Sequence, residues 1–405
     1  MASSFAYRVR TQEGRVLEGV MEADGEGAVA ARLRQQGLVP IQISKESKVG
    51  LKMEFQIKQP RVKLKDIAVF SRQFATMINS GLSLLRTLII LSEQTENPTL
   101  AKAIGALRDD VERGSSLSAA MSKHPKIFSK LYVSMVRAGE TGGQLDVVLV
   151  RVAESLEADY KLRQKVKSAM TYPVIVTGIS VLLVAVMLVF IVPTFAAMFE
   201  DLGGELPLPT KILVIASNQA KILVPLAVVG FVGGFIAYKR VRERSAEARL
   251  RTDKIKLKIP VFGTLFQKIA LSRFSRTLSL LLRAGVPVLQ ALDIVSDTAG
   301  NEVLGRAALD VKDSVRSGES MSGPLGRHGV FPPMVVQMIA VGEDTGALDD
   351  MLDKISDFYD QEVESTTESL TALIEPLMIA GLGGIVGGMV IALYMPMFKV
   401  YDLIK

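Results

Sequence analysis

Met135–Leu149 reads MVRAGETGGQLDVVL, and Met338–Leu352 reads MIAVGEDTGALDDML. Met, Gly, Glu, a second Gly, Leu, Asp and a final Leu recur in register. A helix-biased composition does not write that order twice, so the two stretches are copies of one unit. Working outward, Phe70–Arg72 (FSR) returns at Phe274–Arg276, Gly81 as Gly285, Leu85 as Leu289, His124 as His328 and Phe128 as Phe331. Downstream, Tyr172-Pro173 aligns with Glu375-Pro376 and Pro193 with Pro396.

Each copy runs into a long apolar stretch. No charged residue lies between Ser168 and Phe199, and a second and third apolar run cover Ile222–Tyr238 and Pro376–Phe398. About 20 apolar residues span the ~30 Å hydrocarbon core of a bilayer, so all three read as transmembrane helices. The net charge of +6 is not a nucleic-acid signature, because the basic residues flank these runs. Lys161, Arg163, Lys165 and Lys167 precede the first, while nine lysines and arginines between Lys239 and Lys258 follow the second. Positive charge favours the cytoplasmic side, which puts the N-terminus inside and the C-terminus outside. Two copies that both run outward need one returning helix between them, and the middle run supplies it.

The chain therefore reads as a mainly α membrane protein with three transmembrane helices and two repeated cytoplasmic helical-bundle domains. The expected order is an N-terminal α/β module over 1–45, a basic linker over 46–65 and the first bundle over 66–167. Then come a span over 168–199, an external loop over 200–221, a span over 222–238 and a basic cytoplasmic segment over 239–270. The second bundle covers 271–374, the last span 375–398 and an external C-terminus 399–405. The module is expected to hold a β-hairpin around Glu13-Gly14, then a helix and a strand. Each bundle breaks into about six short helices at Gly, Pro and Ser clusters. Gly81 sits where a helix-ending glycine belongs, Asn97-Pro98 is an N-cap followed by proline at the first helical position, and Ser115 opens a short helix. The stretch from Tyr160 through Val192 reads as one helix that enters the bilayer.

Signals for chemistry are sparse. The chain has no cysteine and two histidines, His124 and His328, without the neighbours that a metal site needs. It carries no phosphate loop, His-Glu-x-x-His or nucleophile-elbow motif, so no cofactor is implied. Asp353 and Asp357, four apart, read as a solvated acidic face. Glu375, at the mouth of the third span, is a candidate for holding a partner, since an acid there is costly. Gly381, Gly384 and Gly388 with Ala392, and Gly230 with Gly234, form small-residue stripes where another helix can approach, in this chain or in a second copy of it. In the doubled line, Thr141 and Gln144 have the spacing of a capping box, and Gly139 and Gly342 the place of a left-handed helix end. Glu140 and Glu343 pair with Arg72 and Arg276 or present charge to a partner.

The duplicated GE-…-G-x-LD lines, the FSR…SG and FSR…AG openings, KIPVFGTLFQKIALSRFSRTL and EPLMIAGLGGIVGGMVIALYMPMF closely resemble the type II secretion system F family. The resemblance spans essentially the whole chain, and ALYMPMF and Ala299–Asn301 favour its type IV pilus branch over its secretion branch. It implies a non-enzymatic inner-membrane platform, homo-oligomeric, beneath a growing fibre. The implied partners are a cytoplasmic hexameric assembly or retraction ATPase, pilin or pseudopilin subunits and other inner-membrane assembly proteins. A transporter or channel is the competing class, and it asks for polar groups at mid-bilayer that these spans lack.

Overall fold

The computed structural model describes residues 3–10, 16–45, 60–201 and 207–403. They fall into two compact units, 1–60 and 61–405. In the first, strands β1 (Ser3–Arg10) and β2 (Val16–Ala23) pair antiparallel as the expected hairpin, with Phe5 opposite Met21. Helix α1 (Glu26–Gln35) leads to β3 (Val39–Lys45), which pairs antiparallel with the other edge of β1. Alternation along β1 puts Phe5 and Val9 on one face, and they close a small core with Val29 and Leu33, one turn apart on α1.

The second unit opens with copy 1: α2 (Leu64–Asn79), α3 (Leu84–Gln94), α4 (Pro98–Glu112), α5 (Leu117–Ser122), α6 (Lys130–Gly142) and the long α7 (Leu145–Val186). Gly81 follows α2 at φ +84°, where a Cβ is strained. The Asn97 side chain accepts from the Thr99 and Leu100 amides at the start of α4. The cap of α5 is Ser116, one residue beyond the expected Ser115. A π-helical turn, Met187–Ile191, joins α7 to α8 (Val192–Asp201).

Helix α9 (Leu208–Arg244) is the return helix. It begins inside the segment expected to be an external loop, because the apolar residues between Pro207 and Lys221 leave little reason for the helix to stop. The expected basic segment is helical as well. After α10 (Ala246–Lys258), copy 2 starts with α11 at Phe262, well before the FSR match, since α11 (Phe262–Arg283) carries an N-terminal extension that packs on the long helices. The turn between them holds Val261 at φ 70°, ψ −51°, with the Phe262 amide donating to the Pro260 carbonyl at 2.8 Å. This is a γ-turn that a β-branched residue adopts only under strain, about 1–3 kcal/mol. Copy 2 continues through α12 (Val288–Thr298), α13 (Glu302–Arg316), α14 (Ser322–Arg327), α15 (Pro333–Thr345) and α16 (Leu348–Leu403).

One continuous apolar core runs through both copies, from Phe70, Phe74 and Phe128 in the first to Phe274, Phe331 and Tyr359 in the second. Three helices are long and apolar enough to cross a membrane: Leu145–Met198 with its π-turn, Leu208–Arg242 and Leu348–Pro396. At 56 residues, α16 is about 84 Å long, far more than a bilayer needs, so each copy's last bundle helix and its span are one rod.

Candidate functional site

The doubled line is a joint between helices. Gly143 (φ 66°) and Gly346 (φ 69°), the glycines that recur just before Leu-Asp, are the left-handed residues that end α6 and α15. Gly139 and Gly342 are not. They lie buried within these helices, where a Cβ on Gly139 would sit 3.1 Å from the Leu145 Cα and one on Gly342 2.9 Å from the Leu348 Cα. Their role is to let the long helix fold back against the short one. The expected capping box is absent as well: Gln144 makes no side-chain cap, and the Thr141 hydroxyl donates backward to the Arg137 and Ala138 carbonyls.

Glu140 and Glu343 do not pair with Arg72 and Arg276. The Leu117 and Ser118 amides donate to Glu140 at 2.5 and 3.2 Å, and the Met321 and Ser322 amides donate to Glu343 at 2.5 and 3.1 Å. Each carboxylate thus satisfies two orphan donors at the start of a six-residue helix and meets the positive end of its dipole. Charge-assisted bonds of this kind are worth ~1.5–3 kcal/mol. The arginines find other partners at matching repeat positions. Arg72 holds Glu157 through two bonds of 2.7 Å, and Arg276 holds Asp360, which also accepts from the Ser272 hydroxyl at 2.5 Å. In each copy the first helix is thereby tied to the long one.

Below these pairs, α7, α11 and α16 form a three-helix neck around Leu162, Leu265, Val363 and Leu370. Ion pairs cross it between copies: Asp159 to Arg273 at 2.9 Å, Lys165 to Glu364 at 2.5 Å and, further out, Lys130 to Asp297 at 2.5 Å. Burial lowers the Arg273 pKa below the usual arginine value, although Asp159 opposes the shift. Asp353 does not face solvent alone, because Arg283 binds Asp349, Asp350 and Asp353 together. Burial, and next the Asp353 charge, push the Asp357 carboxyl above the usual carboxylate range.

The membrane portion is tied at two proline positions. In the π-turn the Val192 amide donates to the Met187 carbonyl, so the next carbonyl, Leu188, looks for the amide that Pro193 lacks. The buried Ser217 hydroxyl of α9 donates to it at 2.5 Å. In α16 the α-helical register points the Ala392 carbonyl at Pro396, and the buried Thr210 hydroxyl of α9 donates to that carbonyl at 2.5 Å. Thr210 and Ser217 stand two turns apart on one face of the return helix. Ala392 therefore leaves the glycine stripe and faces α9. Gly381, Gly384, Gly388, Gly230 and Gly234 are exposed, and a Cβ on any of them would meet open space. Glu375 is exposed at the head of the third apolar stretch, without an ion pair among the described residues.

Among the described residues, no three His, Asp or Glu side chains gather as a metal site. The His328 Nε2 lies 3.2 Å from Asp310, and His124 shapes a turn through its backbone.

The sequence profile described as "Type II secretion system (T2SS), protein F" matches residues 70–193 and 274–396, and the one described as "Type II secretion system protein F, N-terminal domain" matches residues 1–44. The chain belongs to the type II secretion system protein F family. In this F-family chain both profile matches end at the clamped prolines, Pro193 and Pro396. It is 43% identical to the type IV pilus assembly protein PilC of Myxococcus xanthus, over 100% of this chain and 96% of that one. It is 46% identical to PilC of Thermus thermophilus, over 98% of both chains. With the type II secretion system protein F of Vibrio cholerae it shares 32%, over 100% of both.

The sequence does not announce the Arg72–Glu157 and Arg276–Asp360 pairs, the Asp159–Arg273 bridge or the two clamps. The one available signal was the repeat, since Glu157 and Asp360 occupy matching places after the doubled line.

Proposed function

We propose that this chain is the inner-membrane platform of a type IV pilus assembly machine. The observation that carries the reading is full-length identity of 43% and 46% to two type IV pilus assembly proteins; further pilus assembly proteins match at 32–37%, and type II secretion F proteins at 30–32%. The geometry fits a coupling element. A push on either cytoplasmic bundle is delivered along α7 or α16 without crossing a loop, and the shared core makes the two rods answer together. With no phosphate-binding motif in the sequence, the work comes from a cytoplasmic hexameric ATPase, and pilin subunits are what the membrane half handles. No catalysis is assigned to the chain.

The charge bias supports a cytoplasmic N-terminus and an external C-terminus. Glu375, exposed and without an ion pair among the described residues, stays the acid proposed for a partner in the membrane assembly, whereas Glu140 and Glu343 are engaged inside the fold. The open glycines of α9 and α16 are proposed as contacts with a second copy or another membrane subunit.

The test is deletion of the gene with complementation by wild-type and Glu375→Gln chains, scored by surface pili, secretion and co-purification of the ATPase. Loss of pili with secretion intact supports the reading, and loss of secretion with normal pili overturns it. A reporter active only outside should signal after Lys405 and stay silent after Glu247; the reverse pattern removes the orientation.

A further inference from the structure

A groove of about 510 Å3 lies along α7 beside α11. Such a volume falls within the ~300–1,000 Å3 that takes a small-molecule ligand. Its wall is formed by Leu162, Val166, Met170, Val174 and Ile175 of α7 and Ile269 of α11. The cations stand toward one end: Arg163, Lys167 and Arg273. Asp159 is shared by Arg163 and Arg273 at 2.9 Å each, so one carboxylate serves two guanidinium groups. Lys167 is exposed and has no ion partner among the described residues. Along one face of α7 the order is charge (Arg163, Lys167), hydroxyl (Thr171), then hydrocarbon (Val174, Ile175), the order of parts in a phospholipid. The change occurs where α7 passes from its basic stretch into the uncharged run that starts at Ser168, the level of lipid headgroups.

We propose that this groove binds one anionic phospholipid, its phosphate between Arg163 and Lys167 and an acyl chain along Val166, Met170 and Val174. The chain enters sideways, because Val174 and Ile175 are 68% and 54% exposed and continue onto the lipid-facing surface. The excess of cations over carboxylates selects an acidic headgroup. The inference rests on the three apolar helices lying in a bilayer and does not depend on the role in pilus assembly. Seated across α7 and α11, the lipid ties the first span to the start of copy 2.

The test uses the full-length protein in mild detergent, with phosphatidylglycerol or phosphatidylcholine of identical chains, read by native mass spectrometry. One phosphatidylglycerol per chain should be retained in preference to phosphatidylcholine. Lys167→Gln should lower that retention about five-fold, the effect of one basic residue at an anionic headgroup, while Lys161→Gln, the same loss of charge outside the groove, leaves it unchanged. Val174→Trp, at an exposed position where the ring fills the groove, should expel the lipid without altering helicity. Glycerol phosphate, which has the anion and no chain, should fail to compete. Equal retention of the two lipids, an equal loss in Lys161→Gln, indifference to Val174→Trp, or displacement by glycerol phosphate each overturns the proposal.

Discussion

Copies 1 and 2 share a fold, yet they secure the same joints by different means. The short helix α5 is capped twice, by Glu140 and by the Ser116 hydroxyl, which accepts from the Ala119 amide, whereas α14 has Met321 at its cap and relies on Glu343. The acids that tie first helix to long helix are about equally exposed, 30% for Glu157 and 27% for Asp360, but the arginine is half-exposed in copy 1, at 39% for Arg72, and largely buried in copy 2, at 11% for Arg276. The buried Ser71 hydroxyl donates to Tyr132 at 3.1 Å in copy 1. In copy 2 the matching Ser275 hydroxyl is buried with no partner among the described residues, because Val335 stands where Tyr132 would be. Duplication preserved the geometry of the joints, and each copy then spread their energy differently.

That contrast can be broken most decisively at the caps. Glu343→Ala leaves two amides unsatisfied with no hydroxyl to help, and should destabilise the detergent-solubilised protein by about 3 kcal/mol; Glu140→Ala should cost about 2. Thermal unfolding reads both, and equal losses would remove the asymmetry. At the next joint, Asp360→Asn should cost about 2–3 kcal/mol because it strands a buried guanidinium, against about 0.5 for Glu157→Gln, whose solvent-screened pair is weak. The copy 1 tie also has a pH signature. Its hydrogen bond to Arg72 holds Glu157 below the usual carboxylate range. The stabilisation is therefore complete above the unfolded carboxylate pKa and is lost as pH falls through the lowered folded value. Glu157→Gln should flatten that acid limb, and an unchanged limb would assign it elsewhere.

The membrane clamps sharpen the comparison further. Thr210→Val and Ser217→Ala should each cost about 1 kcal/mol, the scale of interhelical hydrogen bonds in bilayers. Thr210→Val should loosen α9 from α16, and Ser217→Ala from the π-turn, as read by cysteine cross-linking placed on each pair. The smallest difference is at the hydroxyls: Ser71→Ala should cost about 1 kcal/mol, while Ser275→Ala should be neutral or slightly stabilising. A loss at Ser275 equal to that at Ser71 would mean its hydroxyl has a partner after all.

Much of the architecture was legible because it is periodic or repeated. The three apolar runs, the hairpin strands, the Asn97 cap and the helix-ending Gly81 each follow from residues close in sequence, and the duplication from a line written twice. What escaped reading depends on tertiary approach. Glu140 caps a helix more than twenty residues upstream, a distance at which side-chain spacing carries no information. Gly139 reads as a helix end because it lies just before the supposed capping box of Thr141 and Gln144, whereas the true end is Gly143, whose recurrence as Gly346 is the better guide. The recurring Pro193 and Pro396 were visible, but the hydroxyls that answer them lie on the return helix, outside the repeat.

Both of those hydroxyls bond to backbone carbonyls, and this has an evolutionary consequence. A backbone carbonyl is present whatever side chain its residue bears, so the outer spans are free to exchange nearly every apolar residue for another without losing their hold on the return helix. The lasting constraints fall on four positions: Pro193, Pro396, Thr210 and Ser217. Among diverging relatives, the outer spans should drift in sequence while these four keep a proline or a small hydroxyl residue.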